Sequence, residues 1–354
     1  MLACYYVEKT DEVKVTTCNM ATVMMKLYQI LIIMAKKILI IGNGFDIDLG
    51  LRTRYSDFAK SNIWEKLMRN THGFDQDLLA ALREAKEKEA WFDIEKTMNE
   101  YVRAIRPESL TTDLVDKDKE NFIEVTKALD KYLKDEQKSR TLESNHYAAK
   151  VLRLISDVGG FEYYTFNYTS LGDIAISCGI KIDTSRITHV HGSLENDSII
   201  LGVLTDPDNQ IHEQYSFMYK DNSRFYMSNN MYEDFDKADD IIFFGHSING
   251  MDFPYFKDFF IKQSGMDGEY KRKHITIFTY DDGSNQQIRN SIRNAQVDLT
   301  QLFRRNDIKI ILTKQLYDND KNEIQKFDSF CNRLKSIKSR HTVVTAPDFS
   351  LNQW

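Results

Sequence analysis

The stretch ILIIGNGFDIDLGL, residues 38–51, runs four apolar residues into two glycines one residue apart, then two aspartates and a third glycine. A short apolar run closed by glycine reads as a fully buried strand over 37–41 that turns into a helix. Gly42 and Gly44 at that point let the backbone turn tightly and approach a pyrophosphate. The helix start offers unpaired N–H groups and positive potential. The dinucleotide fingerprint GxGxxG fails at its third position, where Ile47 stands, and the third glycine comes at Gly50 instead. No strand ending in an acidic residue follows about twenty residues on, which argues against a dehydrogenase. A ligand-free strand-to-helix turn explains an isolated GxG equally well, so other segments must decide.

Downstream, helical material dominates to about residue 158. WFDIEKTMNEYVRAI places Trp91, Ile94, Met98, Tyr101, Val102 and Ile105 on one helical face, and Phe122, Val125, Leu129 and Tyr132 repeat the pattern. Short apolar runs then return at 162–168, 186–192, 198–203, 240–247, 274–280 and 308–313, several separated by helical crossovers. The expectation is an α/β protein: a Rossmann-like parallel sheet with a large helical insertion, 61–145, after the first strand. The expected organisation is an N-terminal extension 1–33, a main domain 34–330 and a C-terminal tail 331–354. Met34 opens MAKKILIIGNGFD and is the expected true start, with 1–33 an upstream over-translation.

Chemistry-bearing residues recur at the predicted strand ends, where open α/β sheets hold ligands. In TFNYT, Asn167 can donate and accept, or cap the next helix. In HVHGS, His189 and His191 stand two apart on a strand. They are poor partners for one metal, but His191 before Gly192 suits a base or a ribose contact. FFGHS and INGMD put Gly245, Ser247 and Asp252 before an amphipathic helix, a second loop suited to phosphate or ribose, with Asp252 as an ordinary cap in the plain reading. Asp281 and Asp282 in TYDDG read more simply as a turn.

The chain has 354 residues, 28% of them charged, and a formal net charge of −6. That balance, without a carboxylate cluster for two metals, disfavours nucleic-acid partners and nuclease chemistry. Four scattered cysteines form no CxxC pair, and no run reaches the ~20 apolar residues of a membrane span. A cytoplasmic protein without metal is expected.

The opening ILIIGNGFDIDLGLRTRYSDF, 38–58, resembles the AbiH-type abortive-infection proteins of phage defence, distant relatives of sirtuin-like NAD-binding domains. Gly42, Gly44 and Gly50 fall where the sirtuin loop has its glycines, and Arg52 stands where proline is usual. Asn167 matches the asparagine that handles the ribose and the attacking water. His191 matches the base, and Gly245 with Ser247 the later phosphate loop. The four-cysteine zinc module of the deacylases is missing, so the resemblance implies N-glycosidic cleavage of NAD rather than deacylation. The dinucleotide is expected at Gly42, Asn43, Gly44, Phe45, Asp46, Gly245, Ser247 and Asp252, and catalysis at Asn167 and His191. A module that binds NAD or ADP-ribose without turnover is the alternative. Family analogy also implies a homo-oligomer and a phage-derived trigger or partner ATPase.

Overall fold

The computed structural model describes residues 36–69, 76–88, 92–205, 211–226, 230–265 and 271–344. Residues 1–33 and Met34 lie outside them, as does Trp91. Strand β1, Lys36–Ile41, is completely apolar after its two lysines, and Ile38 through Ile41 are each at most 1% exposed. Successive side chains leave opposite faces of a strand. Ile38 and Ile40 accordingly join one hydrophobic core, and Leu39 and Ile41 join the other. Each such burial contributes roughly 1.5–3 kcal/mol, so β1 is the middle layer of a sandwich.

Helix α1, Asn43–Asp48, follows directly, and the short α2, Tyr55–Phe58, lies beyond it. Helices α3 (Asn62–Arg69), α4 (Leu78–Lys88), α5 (Ile94–Ala104) and α6 (Thr112–Ser139) build a helical block with a core of its own. Ile94, Met98 and Val102 of α5 and Val125 and Leu129 of α6 are buried there, as their spacing predicts. Helix α7 (Tyr147–Val158) returns the chain to the sheet at β2 (Phe161–Thr165). Next come α8 (Leu171–Ser177), β3 (Ile187–His189), α9 (Met231–Lys237), β4 (Ala238–Phe244), α10 (Pro254–Gln263) and β5 (His274–Thr279). Helices α11 (Asp282–Asn294) and α12 (Leu299–Arg305), β6 (Asp307–Leu312), α13 (Thr313–Tyr317) and α14 (Lys321–Val344) complete the order.

The six strands lie in the order β3-β2-β1-β4-β5-β6, all parallel. The chain builds outward from β1 in one direction and then from β4 in the other, so the switch point lies between these two strands. No described helix is long and apolar enough to cross a membrane.

Two expectations are corrected. The run 198–203 is no strand; it makes a single bridge, Val203 to Tyr219. Ile199, Leu201 and Val203 pack into the core of the helical block rather than onto the sheet, so an apolar run found another surface to cover. The chain beyond 330 is no loose tail as far as Val344. Helix α14 continues through it, and Phe330 and Leu334 are fully buried against the sheet.

Asp118 of α6 organises the block. Its carboxylate accepts from Leu78 N (2.8 Å), Tyr101 Oη (2.6 Å) and Tyr215 Oη (2.6 Å). Asp118→Ala leaves three donors without their acceptor. The expected destabilisation is about 2–4 kcal/mol, read from the midpoint of denaturant unfolding.

Candidate functional site

At the switch point the loops after β1 and β4 meet backbone to backbone. Gly42 N donates to Phe244 O (3.0 Å) and Gly44 N donates to Gly245 O (2.8 Å). A Cβ on Gly42 would lie 2.6 Å from His246 Cα, and one on Gly44 2.7 Å from Gly245 Cα. The glycines therefore serve the close approach of two loops, and two amides expected for a pyrophosphate are already engaged. Gly50, with φ +89°, ends α1 as its N–H donates to Ile47 O (3.0 Å), so the third glycine is a helix stop. Phe45 is fully buried, edge-on to Phe244 at 5.5 Å between ring centres, which makes it core rather than ligand surface. Asn43 and Ser247 remain exposed at the loop tips. The Asn43 side chain is tied to Thr53 through its hydroxyl and carbonyl.

Asn167, just past β2, does not cap a helix; Ser170 caps α8 instead. Its Nδ2 donates to Gly42 O (3.1 Å) and to Asp46 Oδ1 (2.8 Å). Both partners are acceptors, so the amide orientation is assigned by the network, and Oδ1 is left as the acceptor end. Asp46 is not an open ribose ligand. It is 1% exposed, and its other oxygen accepts from Thr169 Oγ1 (2.7 Å). Burial pushes its carboxyl up to about 7, against the opposing hydrogen bonds from Thr169 and Asn167.

That shift fixes a pH dependence. Unfolded, Asp46 loses its proton near pH 4; folded, it holds the proton to about pH 7. Between these values the native state binds more protons, so stability falls as pH rises through the window and levels off above it. The full effect is on the order of 4 kcal/mol. Asp46→Asn, neutral and of the same shape, removes this slope. Denaturant unfolding of both proteins from pH 4.5 to 8 reads the difference, and parallel curves contradict it.

His191 follows β3, at a turn that Gly192 makes with φ +78°, where an added Cβ would lie 1.8 Å from Ser198 O. His189 and His191 do not converge, as expected. His189 Nδ1 lies 3.4 Å from Asn167 O, whereas His191 Nε2 lies 2.7 Å from Asp252 Oδ1. Asp252 ends a 3-10 turn, Gly250–Asp252, and is neither a cap of α10 nor a free phosphate-loop residue. Burial opposes its ionisation, but the charge and hydrogen bond of His191, then Lys220 and His246, hold it well below the usual carboxylate range. His246 is pushed down to about 4 by burial, with Asp252 opposing. Its Nδ1 accepts from Ile248 N (2.9 Å), so its proton sits on Nε2, 3.7 Å from Asp252 Oδ2. The other ring nitrogen of His191, Nδ1, is buried without a hydrogen-bond partner. Phe166 links the two ends of the site, packing on His191 and on His246, whose Cα abuts Gly42.

Several groups here carry no sequence signal. Lys220 is fully buried and pairs with Glu95 (3.0 Å), whose carboxyl burial pushes up. Tyr55 and Tyr168 lie beside them, both raised well above the usual phenol range chiefly by burial. Glu95 sits inside a helix read only for its apolar face, and Lys220 in a segment without periodicity. Asp281 is the cap of α11, accepting from Ser284 N (2.9 Å), where the plain reading had a turn. Asp282 accepts from Gln315 Nε2 (3.0 Å). An open groove of about 560 Å³ runs along β6, lined among others by Arg289, Phe303 and Lys309, away from Asn167 and His191. Among the described residues no group of three His, Cys, Asp or Glu is placed to hold a metal ion.

A family model described as "Bacteriophage abortive infection AbiH" matches residues 38–267, a span that runs from β1 past α10 and takes in Asn43, Asn167, His191, Ser247 and Asp252 but not Asp281 or Asp282. A search of curated proteins finds no match.

Proposed function

The chain belongs to the bacteriophage abortive infection AbiH family, and from that premise we propose that it acts by hydrolysing NAD to ADP-ribose and nicotinamide. The observation that carries this reading is the pairing of His191 with Asp252 at the same rim where Asn167 grips the Gly42 turn. An ionised Asp252 accepts the Nε2 proton of His191 and leaves Nδ1 as the basic nitrogen, the arrangement in which a carboxylate orients an imidazole base.

In the reaction, water attacks C1′ of the nicotinamide ribose as the C1′–N bond breaks. The electron pair goes to the pyridinium nitrogen, so nicotinamide leaves neutral and needs no acid. The proton of the water goes to His191 Nδ1. Asn167 Oδ1 accepts from that water and holds it on the face opposite the leaving group. Asn43 and Ser247, exposed at the loop tips, take over the pyrophosphate contacts that the amides of Gly42 and Gly44 cannot make.

The test in cells is the NAD content during phage infection. Bacteria carrying the wild type are expected to lose NAD after infection, and those carrying Asn167→Ala to keep it. Equal NAD in both, with wild-type protection intact, would overturn the reading.

A further inference from the structure

We propose that Tyr255 is a further catalytic residue: its hydroxyl, together with His191 Nδ1, holds the water that attacks the ribose. This rests on the reading of His191 as the base and gives the reacting water a second anchor beside it.

Two polar atoms at this rim are buried without a hydrogen-bond partner, His191 Nδ1 and Tyr255 Oη. They belong to neighbouring rings. The ring centres of His191 and Tyr255 lie 5.9 Å apart, with the planes at 65°. Phe166, the residue before Asn167, seats both: its ring centre is 5.3 Å from that of His191 and 5.5 Å from that of Tyr255, edge to face in each case. Asp252 and Tyr255 stand three residues apart and meet the same imidazole, the carboxylate at Nε2 (2.7 Å) and the phenol ring to ring. The Tyr226 hydroxyl stands beside Tyr255 without completing a hydrogen bond.

A buried hydroxyl left unpaired costs stability, and phenylalanine fills nearly the same space without that cost. Helix α10 uses phenylalanine at its other aromatic positions, Phe256, Phe259 and Phe260, all buried. The α10 ring that packs against His191 is the one that carries a hydroxyl. A hydroxyl that nothing in the chain satisfies, next to an imidazole nitrogen in the same condition, is explained by a ligand group common to both.

A water molecule has two protons and two lone pairs, and the rim offers a use for each. One proton points to His191 Nδ1 and the other to Asn167 Oδ1. One lone pair accepts from Tyr255 Oη–H, and the other attacks C1′. The proton lost on attack goes to Nδ1. Tyr255 keeps its own, since burial raises its phenol well above the usual range.

The test is Tyr255→Phe in the full chain, which removes the hydroxyl and keeps the ring. It is expected to lower kcat for nicotinamide release by about 10–10²-fold with KM little changed, and to leave the denaturant midpoint at or above that of wild type. A wild-type kcat overturns the proposal. A fallen midpoint overturns it too, since the hydroxyl then has a structural partner. Nitrogen-15 NMR of the His191 ring supplies a readout that needs no turnover: Tyr255→Phe is expected to move the Nδ1 resonance towards that of an imidazole nitrogen without a hydrogen bond, and an unmoved resonance overturns the proposal. Where wild type leaves NAD intact and the resonance still moves, the shared ligand group stands and the NAD reading falls instead.

Discussion

On the proposed NAD hydrolysis, His191→Gln is expected to lower nicotinamide release by about 10²–10⁴-fold, the contribution of a positioned base, while the protein stays folded. Glutamine retains an N–H that can reach Asp252 Oδ1, now 2.7 Å from His191 Nε2, but it cannot take a proton. Alanine is the poorer test. It strips Asp252 of its nearest partner in a part-buried cluster that also holds Glu95 and Asp93. Breaking one side of such a pair costs about 3–5 kcal/mol, so lost activity in His191→Ala would mix chemistry with unfolding. Chromatography for nicotinamide and a denaturant midpoint, measured on the same preparation, separate the two. A His191→Gln protein of wild-type turnover removes the base from the mechanism.

Gly245→Ala is expected to destabilise the protein by about 2–5 kcal/mol, a large share of the 5–15 kcal/mol that holds a typical domain together. Two independent costs add. Gly245 has φ +66°, a left-handed conformation that costs a residue with a side chain about 1–2 kcal/mol. Its added Cβ would also lie 2.3 Å from Phe45 N and 2.5 Å from Gly44 Cα. These are backbone atoms of a loop already bonded to Gly245 O through Gly44 N, so no side chain can swing aside, and overpacking adds a further ~1–3 kcal/mol. Thermal or denaturant unfolding reads the loss. A variant within 1 kcal/mol of wild type would mean that the two loops separate easily.

That same contact shows what the sequence could and could not say. The apolar run of β1, the helical spacing of α5 and α6, and the strand ends at Asn167, His191 and Gly245 are local patterns, legible without a partner. The purpose of Gly42 and Gly44 is not local. A glycine needed for a phosphate and a glycine needed for a neighbouring loop look alike until the neighbour is in place. Phe45 failed as a ligand contact for the same reason, since its ring belongs to the core beside Phe244. Ile199 and Leu201 satisfied the composition of a strand but found the helical block first. Lys220 and Glu95 lie 125 residues apart in the chain, and nothing in either stretch announces that they meet at an imidazole.

The most direct measurement is incubation of the purified full chain with NAD, followed by chromatography. The account predicts nicotinamide and ADP-ribose in equal amounts from wild type, and little of either from Asn167→Ala or His191→Gln. NAD or ADP-ribose bound tightly to wild type with no product formed would contradict hydrolysis and leave the rim as a nucleotide-sensing site. Undiminished turnover in both variants would contradict the assignment of these two residues.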